Sequence, residues 1–249
     1  MNIVASLQVR MGSGRLPGKV LTELGPGTLL AMLIDRVSLA RNLSDTIVAC
    51  PSSEENDVIE RFCIDRGIYC FRGSESDNLG RLCGALETRN ADIGVVVYGD
   101  NPLIDPDIID EHIELFLSTL SFDWVGNNLK TTFPSGMEVE VFRMATLKIV
   151  NSWNLPAEIR EHATLAIRQH PEHFSLHNVE ANGVRRRGDL ALGVDQSEDL
   201  DLVRTVVDNF PGRTDFSLEE IIQFLDLNPD VAQKNRNVFR RWRRYRKDF

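Results

Sequence analysis

Residues 2–21 read NIVASLQVRMGSGRLPGKVL, and this stretch decides the fold. Residues 3–9 form a largely apolar run of the length and type of one buried strand. The run passes through Gln8 into a loop that holds Gly12, Ser13, Gly14, Pro17 and Gly18 together with the cations Arg10, Arg15 and Lys19. Glycines leave backbone N–H groups open to an anion, and the cations neutralise it. Such a loop, following the first strand of an α/β domain, sits at the strand's carboxyl end, where polyphosphates bind. Spacing excludes two common phosphate loops. A Walker loop has four residues between its glycines and then Lys-Ser or Lys-Thr, whereas Lys19 here is followed by Val20. A dinucleotide loop runs straight into a helix, and Pro17 forbids that continuation. The competing reading is a surface loop with solvated cations.

Outward from this loop, strand and helix patterns alternate. Helices are expected over 29–41, 54–66, 78–88 and 107–119, with short buried strands at 46–50, 68–71 and 93–98. Repeated βα units with short connections imply a single α/β domain, Rossmann-like, with a mostly parallel mixed sheet and helices on both faces. Parallel strands share their carboxyl ends, so later loops return to the same edge. One is Arg72-Gly73-Ser74-Glu75-Ser76-Asp77, where Asp77 suits a helix cap and Arg72 and Arg81 are candidate nucleotide contacts or plain surface arginines. Another is Tyr98-Gly99-Asp100-Asn101-Pro102-Leu103. An acid at a strand end, beside a glycine, suits a hard cation bridging phosphate oxygens, although Asp100 also suits a simple turn before Pro102.

After Ser121 the alternation changes. Residues 123–127 and 138–142 read as strands around the turn Phe133-Pro134-Ser135-Gly136, and alternation puts Glu138 and Glu140 on one face. A helix over 157–169 carries Arg160-Glu161-His162, with His162 near its apolar side. A strand-like run over 190–194 delivers Asp195, and Ser197 caps a helix over 198–209. Helices over 218–227 and 231–246 complete the chain.

The stretch RMGSGRLPGKVL resembles the signature loop of the cytidylyltransferases that make CMP-activated sugars, in the branch of the spore-coat-polysaccharide type related to the 3-deoxy-manno-octulosonate and acylneuraminate enzymes. Gly14 stands where that family usually has Thr, and no charge is lost by the change. The resemblance continues in Gly99-Asp100-Asn101-Pro102-Leu103, with Asn101 where Cys is common, and in Asp195 followed by Glu198-Asp199-Leu200. It implies a nucleotide-diphospho-sugar transferase fold, CTP and an acidic sugar as substrates, and Mg2+ held by Asp100 and Asp195. It implies catalytic roles for Arg10, Arg15, Lys19 and Asp100, and nucleotide binding by Gln8, Arg10, Gly12, Ser13, Arg15, Lys19, Arg72 and Arg81. Ser135, Gly136, Glu138, Glu140, Arg160 and His162 fall in the acceptor-sugar region, with Arg160 a partner for a sugar carboxylate.

Composition is ordinary for a soluble globular protein. The 249 residues are 42% hydrophobic and 26% charged, and the net charge of −9 gives no support to a nucleic-acid partner. The exception is the basic end, from Arg236 to Lys247, read as part of a helix over 231–249 packed through Val238, Phe239, Trp242 and Tyr245. Cys50, Cys63, Cys70 and Cys83 form no metal-ligand spacing and read as reduced thiols. Without a signal peptide or membrane span, the expected compartment is the cytoplasm. A homodimer is expected, through the strand pair after Ser121 or the C-terminal helix. Two other readings keep the loop: a sugar-phosphate or alcohol-phosphate nucleotidylyltransferase using another nucleotide, and a non-catalytic nucleotide-binding scaffold.

Overall fold

The structure is a computed structural model that describes residues 1–119 and 121–240. The first half contains β1 (Ile3–Gln8), β2 (Glu23–Leu24), β3 (Gly27–Thr28), α1 (Leu29–Val37), β4 (Asp45–Pro51), α2 (Asp57–Asp65), β5 (Cys70–Gly73), α3 (Asn78–Thr88), β6 (Ile93–Tyr98) and α4 (Pro106–Thr119). The second half adds β7 (Trp124–Gly126), β8 (Glu140–Arg143), α5 (Met144–Asn151), α6 (Ala157–Arg160), α7 (Leu165–Gln169), β9 (Leu176–Asn178), α8 (Ser197–Asp208), α9 (Leu218–Leu227) and α10 (Pro229–Ala232).

Seven strands make one sheet in the order β5-β4-β1-β6-β8-β7-β9. β1 pairs in parallel with β4 and β6, and β4 with β5. β8 runs antiparallel to β6 and β7, while β7 and β9 are parallel. The mixed, mostly parallel α/β sheet is the one expected. Alternate residues of β1 feed two apolar layers. Ile3, Ala5 and Leu7 pack with α1, α4, α8 and α9, and Val4 packs with α3, α5 and α7. Each fully buried Val, Leu or Ile contributes about 1.5–3 kcal/mol. Ser6 and Gln8 interrupt the second layer, and they satisfy each other through Gln8 Nε2 donating to Ser6 Oγ at 2.8 Å. The chain winds outward from β1 through β4 to β5, then returns across β1 to β6. The strand order therefore reverses beside β1, and ligands of such sheets bind outside the strand ends at that point.

Several expectations need correcting. The helix expected over 157–169 is broken, with turns at 161–164 separating α6 from α7. The strand expected over 190–194 is reduced to a single bridge between Ser135 and Ala191. The strand pair after Ser121 is extended by a third strand: β8 and β7 are interior, and β9 pairs along the outer edge of β7. The helix expected from residue 231 ends at Ala232, with turns and irregular chain to 240, and Trp242 and Tyr245 lie outside the described residues. The thiols behave as expected. Cys50, Cys63 and Cys83 are buried and unbridged, and burial pushes the Cys83 thiol up to about 11.

Arg36 fastens α1 to the rest of the domain. Its buried guanidinium donates to the carbonyls of Ile104 (2.8 Å), Thr214 (2.6 Å) and Phe216 (2.9 Å), and lies 4.4 Å from the Phe216 ring centre. Burial lowers its pKa to about 10. Arg36→Met keeps much of the volume but strips the donors from all three carbonyls. The expected loss is about 3 kcal/mol or more, read from urea denaturation. An unchanged midpoint would show that these bonds contribute nothing net.

Candidate active site

A cleft of about 410 Å3 opens along the carboxyl ends of β1 and β6. Its loop after β1 is pinned by Met11. The Met11 carbonyl accepts from Ser13 N (2.8 Å) and Gly18 N (2.9 Å), and Met11 N donates to the buried Asn56 Oδ1 (2.9 Å). Arg10, Ser13, Gly14, Arg15 and Lys19 thereby line the cleft with Gln8 and Asp100. Gly12 stays outside the lining, and a Cβ there would stand 2.8 Å from Glu55 Oε1. Gly99 serves chain packing as well as the cleft: a Cβ would stand 2.6 Å from Val9 Cγ1 and 2.8 Å from the Gln8 carbonyl oxygen, so the end of β1 makes the close approach.

Asp195 reaches Asp100 by a backbone device. Leu192 N (2.6 Å) and Gly193 N (3.2 Å) donate to the Ser135 carbonyl, and Val194 N donates to the Asp100 carbonyl at 2.7 Å. Gly136, at φ +101°, lets the two segments close, since a Cβ would stand 2.4 Å from Gly193 N. The helix cap after Asp195 differs from the expected one. Gln196, not Ser197, holds the cap position, and Asp199 reaches back to accept from Asp195 N and Gln196 N, both at 2.9 Å.

The two acids share one ammonium group. Lys19 Nζ is 3.5 Å from Asp100 Oδ2 and 3.8 Å from Asp195 Oδ1, and it donates to the Val194 carbonyl at 2.5 Å. Arg15 Nη2 meets Asp195 Oδ1 at 2.6 Å. Burial, and then the neighbouring Asp100 charge, raise the Asp195 carboxyl above its ordinary 3.8, against the pull of Lys19 and Arg15. Two carboxylates facing a cleft form a donor set that suits a hard divalent cation such as Mg2+. The raised carboxyl has a measurable consequence for folding without metal. The ionised form is the disfavoured one in the folded chain, so Asp195→Asn is expected to stabilise the metal-free protein at neutral pH. That gain should vanish as the pH falls toward 3.8, where wild-type Asp195 takes up its proton. Thermal midpoints across that range check it, and a destabilised variant at neutral pH would contradict it.

Glu140 is the chief correction to the expected acceptor region. It lies wholly buried beneath the cleft, enclosed by residues of β6, β7 and the 164–168 segment. Its Oε1 accepts from Tyr98 Oη (3.0 Å) and Asn128 Nδ2 (2.8 Å), and its Oε2 from Trp124 Nε1 (2.8 Å) and Thr164 Oγ1. Arg168 Nε stands 3.5 Å from the same Oε2. Glu140 is therefore a hub that positions Tyr98, Asn128 and Arg168, all of which line the cleft. Glu138 does line it, accepting from Gly136 N (2.8 Å) and Asn101 Nδ2 (3.3 Å). Glu140→Gln removes the buried charge and turns one acceptor into a donor facing donors. The expected loss of stability is about 2–4 kcal/mol by chemical denaturation. An unchanged midpoint would remove Glu140 from this role.

Other expected residues are placed differently. Ser135 and His162 line the cleft, with His162 brought there by the break between α6 and α7, and burial lowers its pKa. Arg160 is instead held by Asp77 Oδ2 and Asn151 Oδ1, each at 2.7 Å, outside the lining. Arg72 also lies outside the lining, tied to Asp57 (2.6 Å), Glu60 (2.9 Å) and the Ser53 carbonyl (3.0 Å). Arg81 lies in the cleft wall, donating to Gln8 Oε1 (3.2 Å) and the Ser74 carbonyl (2.6 Å), with burial lowering its pKa to about 10. Asp77 caps α3 as expected, accepting from Gly80 N at 2.8 Å.

Sequence reasoning missed Asn128, Arg168 and Arg240, which also line the cleft. Asn128 follows the carboxyl end of β7, so the strand-end rule that selects Asp100 selects it too. Four buried side-chain atoms among the described residues have no hydrogen-bond partner: Asn128 Oδ1 and Arg168 Nε beside the cleft, the latter within ion-pair range of Glu140, and Arg72 Nε and His112 Nε2 away from it.

A reversed strand order, a cationic loop at that point and two distant acids meeting across one lysine define a phosphate-handling nucleotidyltransferase. The sequence model of the cytidylyltransferase family matches residues 4–241, and the chain belongs to that family. It is 32% identical to the spore coat polysaccharide biosynthesis protein SpsF of Bacillus subtilis, over 93% of this chain and 97% of that protein. It is 36% identical to a 3-deoxy-manno-octulosonate cytidylyltransferase of Trichlorobacter lovleyi, over 47% of this chain and 46% of the other. A solved cytidylyltransferase from Leptospira borgpetersenii superposes with a TM-score of 0.90 at 28% identity, covering 96% of this chain and all of that one. Among the described residues no helix is long and apolar enough to cross a membrane.

Proposed function

We propose that this cytidylyltransferase makes a CMP-activated sugar and pyrophosphate from CTP and an acidic sugar of the nonulosonic or 3-deoxyoctulosonic type, for surface polysaccharide synthesis. The observation that carries the reading is the two-part cleft. Arg15 and Lys19 gather around Asp100 and Asp195 in one network, while Asn128 and Arg168, both lining the cleft, gather on Glu140 in another. The names of the two curated relatives point the same way.

In the reaction a sugar hydroxyl oxygen bonds to the α-phosphorus of CTP, the α–β bridging bond breaks, pyrophosphate leaves, and the hydroxyl proton passes to solvent. The chain's part is alignment and charge neutralisation. Arg10, Arg15 and Lys19 hold the β- and γ-phosphates and then the departing pyrophosphate. Asp100 and Asp195 would hold Mg2+, which when bound would offset phosphate charge and polarise the α-phosphate. Arg15 and Lys19 pair with these same acids, so nucleotide binding exchanges one set of ion pairs for another. Arg168, rather than Arg160, faces the acceptor's carboxylate, because Arg160 is tied to Asp77 outside the cleft.

The test is phosphorus NMR of the product from CTP and Mg2+, offered a pool of acidic sugars and, separately, sugar and alcohol phosphates. A single phosphodiester resonance with the acidic pool is expected. A pair of coupled diphosphate resonances, obtained only with phosphate acceptors, would replace the acidic sugar with a phosphorylated one.

A further inference from the structure

Residues 233–240 fold back from α10 to the cleft instead of continuing a helix. Arg240 forks onto Asp199, with Nη1 donating to Oδ2 at 2.9 Å and Nη2 to Oδ1 at 2.6 Å. Asn235 Nδ2 donates to the same Oδ1 at 2.7 Å and to the Ala191 carbonyl at 2.9 Å. The Phe239 carbonyl accepts from Arg15 Nη1 at 3.3 Å.

These contacts converge on one end of the site. Asp199 is wholly buried, and a buried carboxylate is strongly unfavourable without a cation. Among the described residues Arg240, itself only 5% exposed, is its ion-pair partner. The carboxylate so held accepts the backbone N–H of Asp195 and of Gln196. Arg240 thus fixes Asp199, and Asp199 fixes the main chain that carries Asp195. Phe239 meanwhile engages Arg15, which also pairs with Asp195.

We infer that residues 233–240 are a strap that completes the triphosphate-binding end of the cleft, with Arg240 a positioning residue acting on Asp195 through Asp199. The inference rests on the nucleotide reading above. The planar fork of arginine matches both carboxylate oxygens, whereas a lysine ammonium meets them as a single point charge. The strap therefore serves a nucleoside triphosphate with its divalent cation and is indifferent to a nucleoside monophosphate, which lacks the β- and γ-phosphates.

The experiment is calorimetric titration of the full chain with each of the four nucleoside triphosphates plus Mg2+, and with CMP. The proteins are wild type, Arg240→Met, Arg240→Lys and the double variant Arg240→Met/Asp199→Asn. Loss of a residue that orients a metal-binding group weakens binding about tenfold or more, and that loss is expected for MgCTP with Arg240→Met. CMP affinity should stay within about twofold, Arg240→Lys should fall between, and the double variant should bind MgCTP no worse than the single one. Equal losses for MgCTP and CMP would mean general loosening and would overturn the strap's specific role, as would unchanged MgCTP affinity. If Arg240→Met does not fold, Arg240→Lys carries the same comparison, with equal or absent losses overturning the inference. Failure of the wild-type protein to bind any of the four triphosphates would overturn the nucleotide reading itself, and the strap's role with it.

Discussion

Asp100→Ala is expected to abolish Mg2+-dependent turnover while leaving the fold intact. Asp100 stands at the end of β6, where the strand's buried valines fix its position but not its side chain. That side chain is 36% exposed and meets Lys19 only at 3.5 Å, so its loss removes little packing. The chemistry it supports is severe by contrast. On the proposed reading, Asp100→Ala removes one of the two carboxylates that would hold the cation, and the charge developing on the α-phosphate goes unopposed. A loss of about a thousandfold or more in kcat/KM is expected. Pyrophosphate release and urea denaturation on the same preparation check the two halves. Near-normal activity would remove the two-carboxylate site, and a collapsed fold would show that Asp100 has a structural role instead.

Lys19→Ala has the second-largest expected effect. Its side chain is only 10% exposed, and its ammonium serves three oxygens: the Val194 carbonyl, Asp100 and Asp195. Removing it leaves two acids facing each other with one cation fewer, and it deprives the triphosphate of a contact. The acids then repel both the nucleotide and each other, so the loss falls on MgCTP binding as well as on the chemical step. A fall of about a hundredfold in kcat/KM for CTP is expected. Unchanged affinity would remove the loop after β1 from its role.

Much of this was legible in the sequence. β1, β6 and α3 declare themselves because buried strands and capped helices are decided by local pattern, and parallel strands must bring Gln8 and Asp100 to one edge. Asp195 was legible only through resemblance, since the run before it forms one bridge and no strand. Alternation says which residues share a face, not what covers that face, and Thr164 and Arg168 lie over Glu140. Arg160 and Arg168 are alike as sequence. A turn at 161–164, where Thr164 donates to Glu140, sends one outward to Asp77 and the other into the cleft. Arg240 gave no signal, because its cluster of basic residues suits a solvated helix as well as a strap.

The central claim, that this cleft transfers a cytidylyl group, is tested most directly by pyrophosphate release. The protein would be given Mg2+, each of the four nucleoside triphosphates in turn and a pool of acidic sugars. Release with CTP alone is the expected result. Release with a different nucleotide alone would contradict the cytidylyl assignment while keeping the fold and the phosphate chemistry, and silence with all four would contradict the proposed reaction.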